Sequence, residues 1–339
     1  MLSHILYKEV RYMDKRESYF SLLPHNIREI LVHCTLDFEK LQEIRLRCNM
    51  PIIIEYDNRE YFLSKNKIED SDKVFSTDCV IHIHEKELRQ TIDYVSNYSL
   101  YAYEEQLRQG FISVRGGHRV GICGEVVISD GKIKTIKNIA SINIRAAHEI
   151  IGCSDNIMKY LYSGNRTIYN TLIVSPPMFG KTTLLRDIIR NLSNGYTICG
   201  GSRIPGLKVG VVDERCELSA SYNGIPQNNL GIRSDVLSLA SKDNGIMMLI
   251  RTMSPEVIAA DEIGSKTDSD AIIYSINCGC KMIATIHGDS INDVLLKESM
   301  KKLISEKIFR RFIVLQNSNS VRKVQIYNEN LNNIGYELC

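Results

Sequence analysis

The sequence predicts an α/β protein: a nucleotide-type domain built on a parallel sheet, preceded by a smaller α+β domain. Three observations carry that expectation. The apolar, β-branched run Leu172-Ile173-Val174 enters a turn ending in Gly180-Lys181-Thr182-Thr183, and leucines at helical spacing follow; strand, phosphate loop and helix in that order make a nucleotide site. After this loop, apolar strand-like runs alternate with helical segments, as parallel strands joined by crossover helices do. Before about residue 150 the pattern is a period-two alternation broken by turn residues, as in a small sheet with hairpins. The expected domains are residues 1–150 and 151–339.

Composition sets limits. A chain of 339 residues is long enough to bury two cores. A net charge of +2 excludes a global nucleic-acid or membrane footprint, so any basic surface must be local. The ten cysteines repeat no metal-ligand or redox spacing; only Cys278 and Cys280 are close, in a stretch that reads as a helix end. Buried, reduced thiols are expected. The start of the chain, with Lys8, Glu9, Arg11 and Asp14, lacks a signal-peptide core. No run of about 18 apolar residues occurs, so no transmembrane helix is expected, and the protein is expected in the cytosol.

In chain order, residues 1–35 carry helical spacing, with Leu22 and then Ile27, Ile30 and Leu31 after Pro24. Glu43-Ile44-Arg45-Leu46-Arg47 alternates polar and apolar, and so does Pro51 to Leu63 around a turn at Asp57-Asn58. Val80-Ile81-His82-Ile83-His84 opens another element, and its two histidines have no third ligand candidate. A helix is expected from Glu85 to Ser96, with Leu88, Ile92 and Val95 on one face. Phe111 to Ile122 reads as strand, glycine bend and strand, Asp130-Gly131 as a second turn, and Ile139 to Arg145 as a further strand. Arg115, Arg119 and Arg145 fall on or beside these turns. They suit either a solvated sheet edge or phosphates, whose geometry a guanidinium fork matches.

A helix from Ser154 to Tyr162 leads into the nucleotide domain. The helix after the phosphate loop is expected over 181–193, then a buried strand from Lys208 to Val212 ending at Asp213-Glu214-Arg215. Residues 219–234, rich in Ser, Asn, Gly and Pro, read as a long loop. Asp235 begins the next predicted helix, broken near Asn244-Gly245 and ending at Arg251. A short strand from Val257 carries Asp261-Glu262 at its C-terminal end, a helix follows over 266–277, and the strand from Lys281 to Ile286 is tipped by His287. A helix over 291–304 and strands near 309–315 and 321–327 complete the chain.

Ligands of an open parallel sheet bind beyond the C-terminal strand ends. Four features converge there: the phosphate loop, Asp213-Glu214-Arg215, Asp261-Glu262, and Thr285 with His287. In the loop Ser175-Pro176-Pro177-Met178-Phe179-Gly180-Lys181-Thr182-Thr183, helix-terminal amides receive phosphate oxygens, Lys181 reaches the β/γ-phosphates, and the Thr182 hydroxyl ligates Mg²⁺. Asp261 suits the same metal ion, and Glu262 suits the attacking water. Ser175 stands where the consensus has its first glycine, and Met178 where a second is common. A left-handed backbone there would strain methionine by about 1–3 kcal/mol.

The segment from Arg251 to Gly264, with Ser-Pro-Glu-Val-Ile-Ala-Ala-Asp-Glu at its centre, followed by Ala284-Thr285-Ile286-His287-Gly288, resembles the ATPases of type II and type IV secretion systems. The runs 114–121, 136–145, 175–187 and 211–217 resemble, more closely, the stage III sporulation protein AA family. The likeness spans most of the chain. It implies a RecA-like P-loop NTPase domain using ATP and Mg²⁺, in a ring-forming ATPase of endospore-forming bacteria. It further implies a homo-oligomer, a hexamer, cytoplasmic and peripheral on the mother-cell side of the forespore membrane. Its partners would be the membrane proteins of a channel complex, without insertion of its own. By matching position, Lys181 and Thr182 would bind phosphate and Mg²⁺, Asp213 and Glu214 would form an acidic box, and Asp261 and Glu262 a Walker B pair. Glu262 would be the catalytic base and His287 the γ-phosphate sensor. Arg115, Arg119 and Arg145 would be the arginines that an N-terminal domain sends to the nucleotide, with Arg251 a further candidate.

Two readings come from other classes. An ATP-regulated single-stranded nucleic-acid-binding protein needs aromatics interleaved with basic residues. The basic pairs Lys301-Lys302, Arg310-Arg311 and Arg322-Lys323 lack them, so nucleic acid is not expected as a partner. A nucleotide-binding scaffold that never hydrolyses is motivated by Met178 alone.

Overall fold

The computed structural model describes residues 15–74, 79–108, 110–129, 131–164, 166–197, 201, 203–318 and 321–338. The helical spacing expected before residue 15 lies outside the described residues. Contacts divide the chain into two compact units, Met1–His148 and Glu149–Cys339.

In the first unit, α1 (Lys15–Phe20), α2 (His25–His33) and α3 (Glu85–Val95) accompany a sheet of seven strands. These are β1 (Leu41–Arg47), β2 (Ile53–Tyr56), β3 (Arg59–Leu63), β4 (Ile68–Asp70), β5 (Phe111–Ser113), β6 (Arg119–Ser129) and β7 (Lys132–Arg145). They form one sheet in the order β4-β3-β2-β1-β7-β6-β5, antiparallel at every pairing. The alternation read from sequence puts Ile44, Leu46, Ile54, Ile142 and Ile144 into a core that Ile27, Leu31 and Leu88 close from the helices, with Leu23 added from the turn between α1 and α2. Asp57 and Asn58 both have positive φ, the backbone a two-residue hairpin turn requires.

The second unit holds β8 (Thr171–Ser175), β9 (Val209–Asp213), β10 (Ser234–Ser238), β11 (Val257–Ala260), β12 (Lys281–His287), β13 (Arg311–Ser318), β14 (Val321–Asn328) and β15 (Asn333–Leu338). Their order is β10-β9-β11-β12-β8-β13-β14-β15. The first six run parallel and the last two add antiparallel. Strands β8, β9 and β11 are buried along their whole length and mostly apolar because helices cover both faces. Ile173 of β8 joins one core with α4 (Asp155–Leu161) and α5 (Lys181–Asn194). Leu172 and Val174 point the other way, into a core with α6 (Lys242–Met253) and α7 (Lys266–Asn277).

Several expectations are corrected. Residues 234–238 do not begin a helix; they form a parallel edge strand paired along β9, every residue of it half-buried. Asp235 and two serines disguise it, since one edge faces solvent. The helix starts at Lys242, runs unbroken through Gly245 and ends at Met253. The helix expected over 291–304 is two helices, Ile291–Leu296 and Glu298–Ser305, because Lys297 is extended. Beyond the strands expected near 309–315 and 321–327, the sheet gains a further one, β15. Among the described cysteines, Cys34, Cys216 and Cys280 are buried as expected, whereas Cys79, Cys123 and Cys278 are exposed.

Gly245 is where α6 lies directly on β9. A Cβ there would stand 2.6 Å from Val212 Cγ1. Helix propensity alone favours alanine by about 1 kcal/mol, but overpacking a buried contact costs about 1–3 kcal/mol. Gly245→Ala is therefore expected to lower stability by about 1 kcal/mol in urea unfolding. A gain would show that α6 moves freely off the strand.

Candidate functional site

Strand β8 delivers residues 176–180 from the C-terminal edge of the sheet into α5. Gly180 is the N-cap, with φ 87 and no side-chain cap, which leaves the first amides of α5 for an anion. Met178 is left-handed too, with φ 64. The loop thus takes a glycine-type conformation through a methionine, at a cost of about 1–2 kcal/mol. Its side chain, 98% exposed, sterically obstructs nothing.

The parallel register sets Ser175 beside His287 and Ala260 beside Ala284. Residues 180–182, 261–262 and 285–287 therefore meet at one edge. Thr182 Oγ1 donates to Asp261 Oδ2 at 2.8 Å. The other oxygen of Asp261, Oδ1, accepts from Thr285 Oγ1, which in turn accepts from the Glu262 amide at 2.7 Å. Thr285 is fully buried on β12, the strand between β8 and β11. One hydroxyl thereby sets both acidic residues.

Lys181 is buried, and its Nζ lies 2.8 Å from His287 Nε2. The same nitrogen is 2.9 Å from Glu262 Oε1. One ring nitrogen offers either a proton or a lone pair, so it serves Glu262 when protonated and Lys181 when bare. Glu262, itself left-handed with φ 57, also accepts from Arg215 Nη1 through Oε2 at 3.0 Å.

The other acidic pair does different work. Asp213 is buried; its Oδ1 accepts from the amides of Glu217 and Leu218, and its Oδ2 from the amide and hydroxyl of Ser219. It folds the turn after β9. Glu214 is ion-paired with Lys242 at the start of α6. Sequence reasoning missed Lys242 and also Arg186, which donates to the carbonyls of Leu218 and Glu217 at 2.8 and 2.7 Å and ties α5 to that turn. Burial holds the Arg186 guanidinium below its usual range, against the pull of Glu149, Asp213 and Asp261. Its position one helical turn after Thr182 was the available signal.

Arg115, Arg119 and Arg145 all belong to the first unit. Arg119 and Arg145 are cross-strand partners on β6 and β7. Arg145 pairs with Glu43 at 3.1 Å, and the Arg119 guanidinium lies over the Phe111 ring at 4.8 Å. Arg115 is exposed in the bend between β5 and β6, and Arg251 is exposed near the end of α6. Among the described residues no cluster of three His, Cys, Asp or Glu could hold a metal ion, and no helix is long and apolar enough to cross a membrane.

A phosphate-type loop on β8, a sheet in which β12 separates it from the acidic tip of β11, and a trailing antiparallel hairpin define the RecA-like P-loop NTPase fold. Solved structures agree on the fold: the ATPase DotB of Legionella pneumophila has a TM-score of 0.53 at 14% identity, covering 86% of this chain and 78% of that one. The pilus retraction motor PilT, solved with bound ADP, has a TM-score of 0.53 at 13% identity, covering 88% and 80%. The chain belongs to the family described as sporulation stage III, protein AA, which it matches over residues 13–334. The stage III sporulation protein AA of Bacillus subtilis (strain 168) is 38% identical over 295 residues, 86% of this chain and 88% of that one.

Proposed function

We propose that the chain is a Mg²⁺-dependent ATP hydrolase of the secretion-ATPase kind. The observation that carries this reading is the pair of oxygens on Thr182 and Asp261, 2.8 Å apart, beside Lys181 at a helix N-terminus. Neighbouring ligands of an octahedral Mg²⁺, each at about 2.1 Å, stand about 3 Å apart, so these two oxygens fit one ion. Bound there, the ion would neutralise charge between the β- and γ-phosphates. The loop amides and Lys181 hold the phosphates. Glu262 orients the attacking water and takes its proton, and His287 stands at the γ-phosphate end.

In this reading Arg115, Arg119 and Arg145 complete the site from another domain or subunit, and the working form is a homo-oligomeric ring, a hexamer. A site closed by groups from two bodies opens when hydrolysis removes the bridging charge, which couples chemistry to movement. The family supports a role in sporulation; in this reading the ring works at a channel complex between mother cell and forespore, on the cytoplasmic side. The likeness to a pilus motor that binds ADP supports the nucleotide.

Calorimetry tests the first step. Mg-ATP is expected to bind at or below about millimolar concentration, and Lys181→Ala to weaken it by about 10–100-fold, the loss of one charged phosphate contact. No heat of binding at millimolar nucleotide would overturn the reading. Phosphate release then separates a hydrolase from a scaffold.

A further inference from the structure

We propose that Arg215 is a positioning residue that holds Glu262 in its working orientation, a role resting on the ATP-hydrolase reading above. Glu262 leaves the end of β11 with a left-handed backbone fixed by Thr285. Its side chain is about one-third exposed, at 32%, and has three torsions that solvent alone would leave free. Two contacts remove that freedom: His287 on Oε1 at 2.9 Å and Arg215 on Oε2 at 3.0 Å. The His287 contact is lost whenever Nε2 turns to Lys181. Arg215 is always charged, so its contact persists in both states of the imidazole.

The turn that presents Arg215 is built for the purpose. Asp213 accepts four hydrogen bonds from residues 217–219, and Cys216 turns left-handed, with φ 52. The first acidic pair thus serves the site through the arginine beside it: Asp213 fixes the turn, the turn fixes Arg215, and Arg215 fixes the carboxylate. Stability gains little from the pair itself, since the arginine side chain is 67% exposed and exposed ion pairs are weak.

Steady-state phosphate release by the full chain tests this, with the unfolding midpoint followed in parallel. Arg215→Ala is expected to lower kcat by about 10–50-fold, part of what a well-placed general base contributes. KM should stay within about twofold and the midpoint unchanged. Arg215→Lys should recover part of kcat, because an ammonium reaches the same oxygen. Glu262→Gln with Arg215→Ala should be no slower than Glu262→Gln alone, since both changes remove one function. An unchanged kcat in Arg215→Ala, a multiplicative loss in the double variant, or a loss carried wholly by KM overturns the positioning role. In those three cases the wild type still turns over, so the hydrolase reading stands. A wild type that binds ATP but releases no phosphate overturns both.

Discussion

Glu262→Gln is expected to cut ATP turnover by about a thousandfold while leaving ATP bound. A glutamine keeps the shape of the side chain and can still accept from Arg215, so the pocket should hold its form. What it lacks is an oxygen able to take a proton from water, and a positioned general base is worth about 10²–10⁴-fold. Nucleotide affinity should change by no more than a few-fold, because the groups that hold phosphate and metal ion are Lys181, Thr182, Asp261 and the loop amides. Phosphate release and retention of labelled ATP after gel filtration measure the two quantities separately. Turnover equal to wild type would remove Glu262 as the base. Loss of ATP binding would mean that its carboxylate belongs to the metal shell instead.

The parts of this site that were legible in the sequence are those in which the chemistry lies within a few residues. Gly180-Lys181-Thr182 follows its strand directly, and Asp261-Glu262 ends one. Strand ends in a parallel sheet share an edge, so the convergence of Thr182 with Asp261, 79 residues apart, and of Lys181 with His287, 106 apart, could be expected from topology alone. What could not be read was which hydrogen bond each group makes. The acidic box read at Asp213 and Glu214 has one carboxylate spent on its own turn and the other on Lys242, while the residue between them in purpose, Arg215, is the one that reaches Glu262. Periodicity cannot register that, because it records faces and not side-chain reach. The edge strand at 234–238 was hidden for a related reason: one side of it faces solvent, and its serines and aspartate carry no strand signature.

Asp187→Ala is expected to destabilise the second unit by about 3–5 kcal/mol, the range for removing one partner of a buried charged network. The carboxylate is 1% exposed. It accepts from the Gly152 amide at 3.1 Å, the Ser154 amide at 2.8 Å, the Ser154 hydroxyl at 2.7 Å and Arg190 Nε at 2.7 Å. Alanine would leave a buried amide at Ser154, a half-buried one at Gly152 and a mostly buried guanidinium without that acceptor. These bonds fasten residues 152–154, the entry to α4, onto the helix that carries Lys181 and Thr182, so the loss should fall first on the nucleotide side of the fold. Burial raises the Asp187 pKa, but the donors from Arg190, Ser154 and Gly152 outweigh it and hold the group below its ordinary value. Its contribution is therefore complete above the unfolded-state value of about 3.9 and is lost as pH falls through the lower folded-state value. Urea unfolding at a series of pH values should show wild type well above Asp187→Asn at neutrality and the two curves converging below about pH 4. A constant gap down to the acid limit would mean that the variant suffers from packing and not from the missing charge. Hydrogen exchange over residues 152–158, faster in the variant well before global unfolding, would locate the weakness at the tether itself.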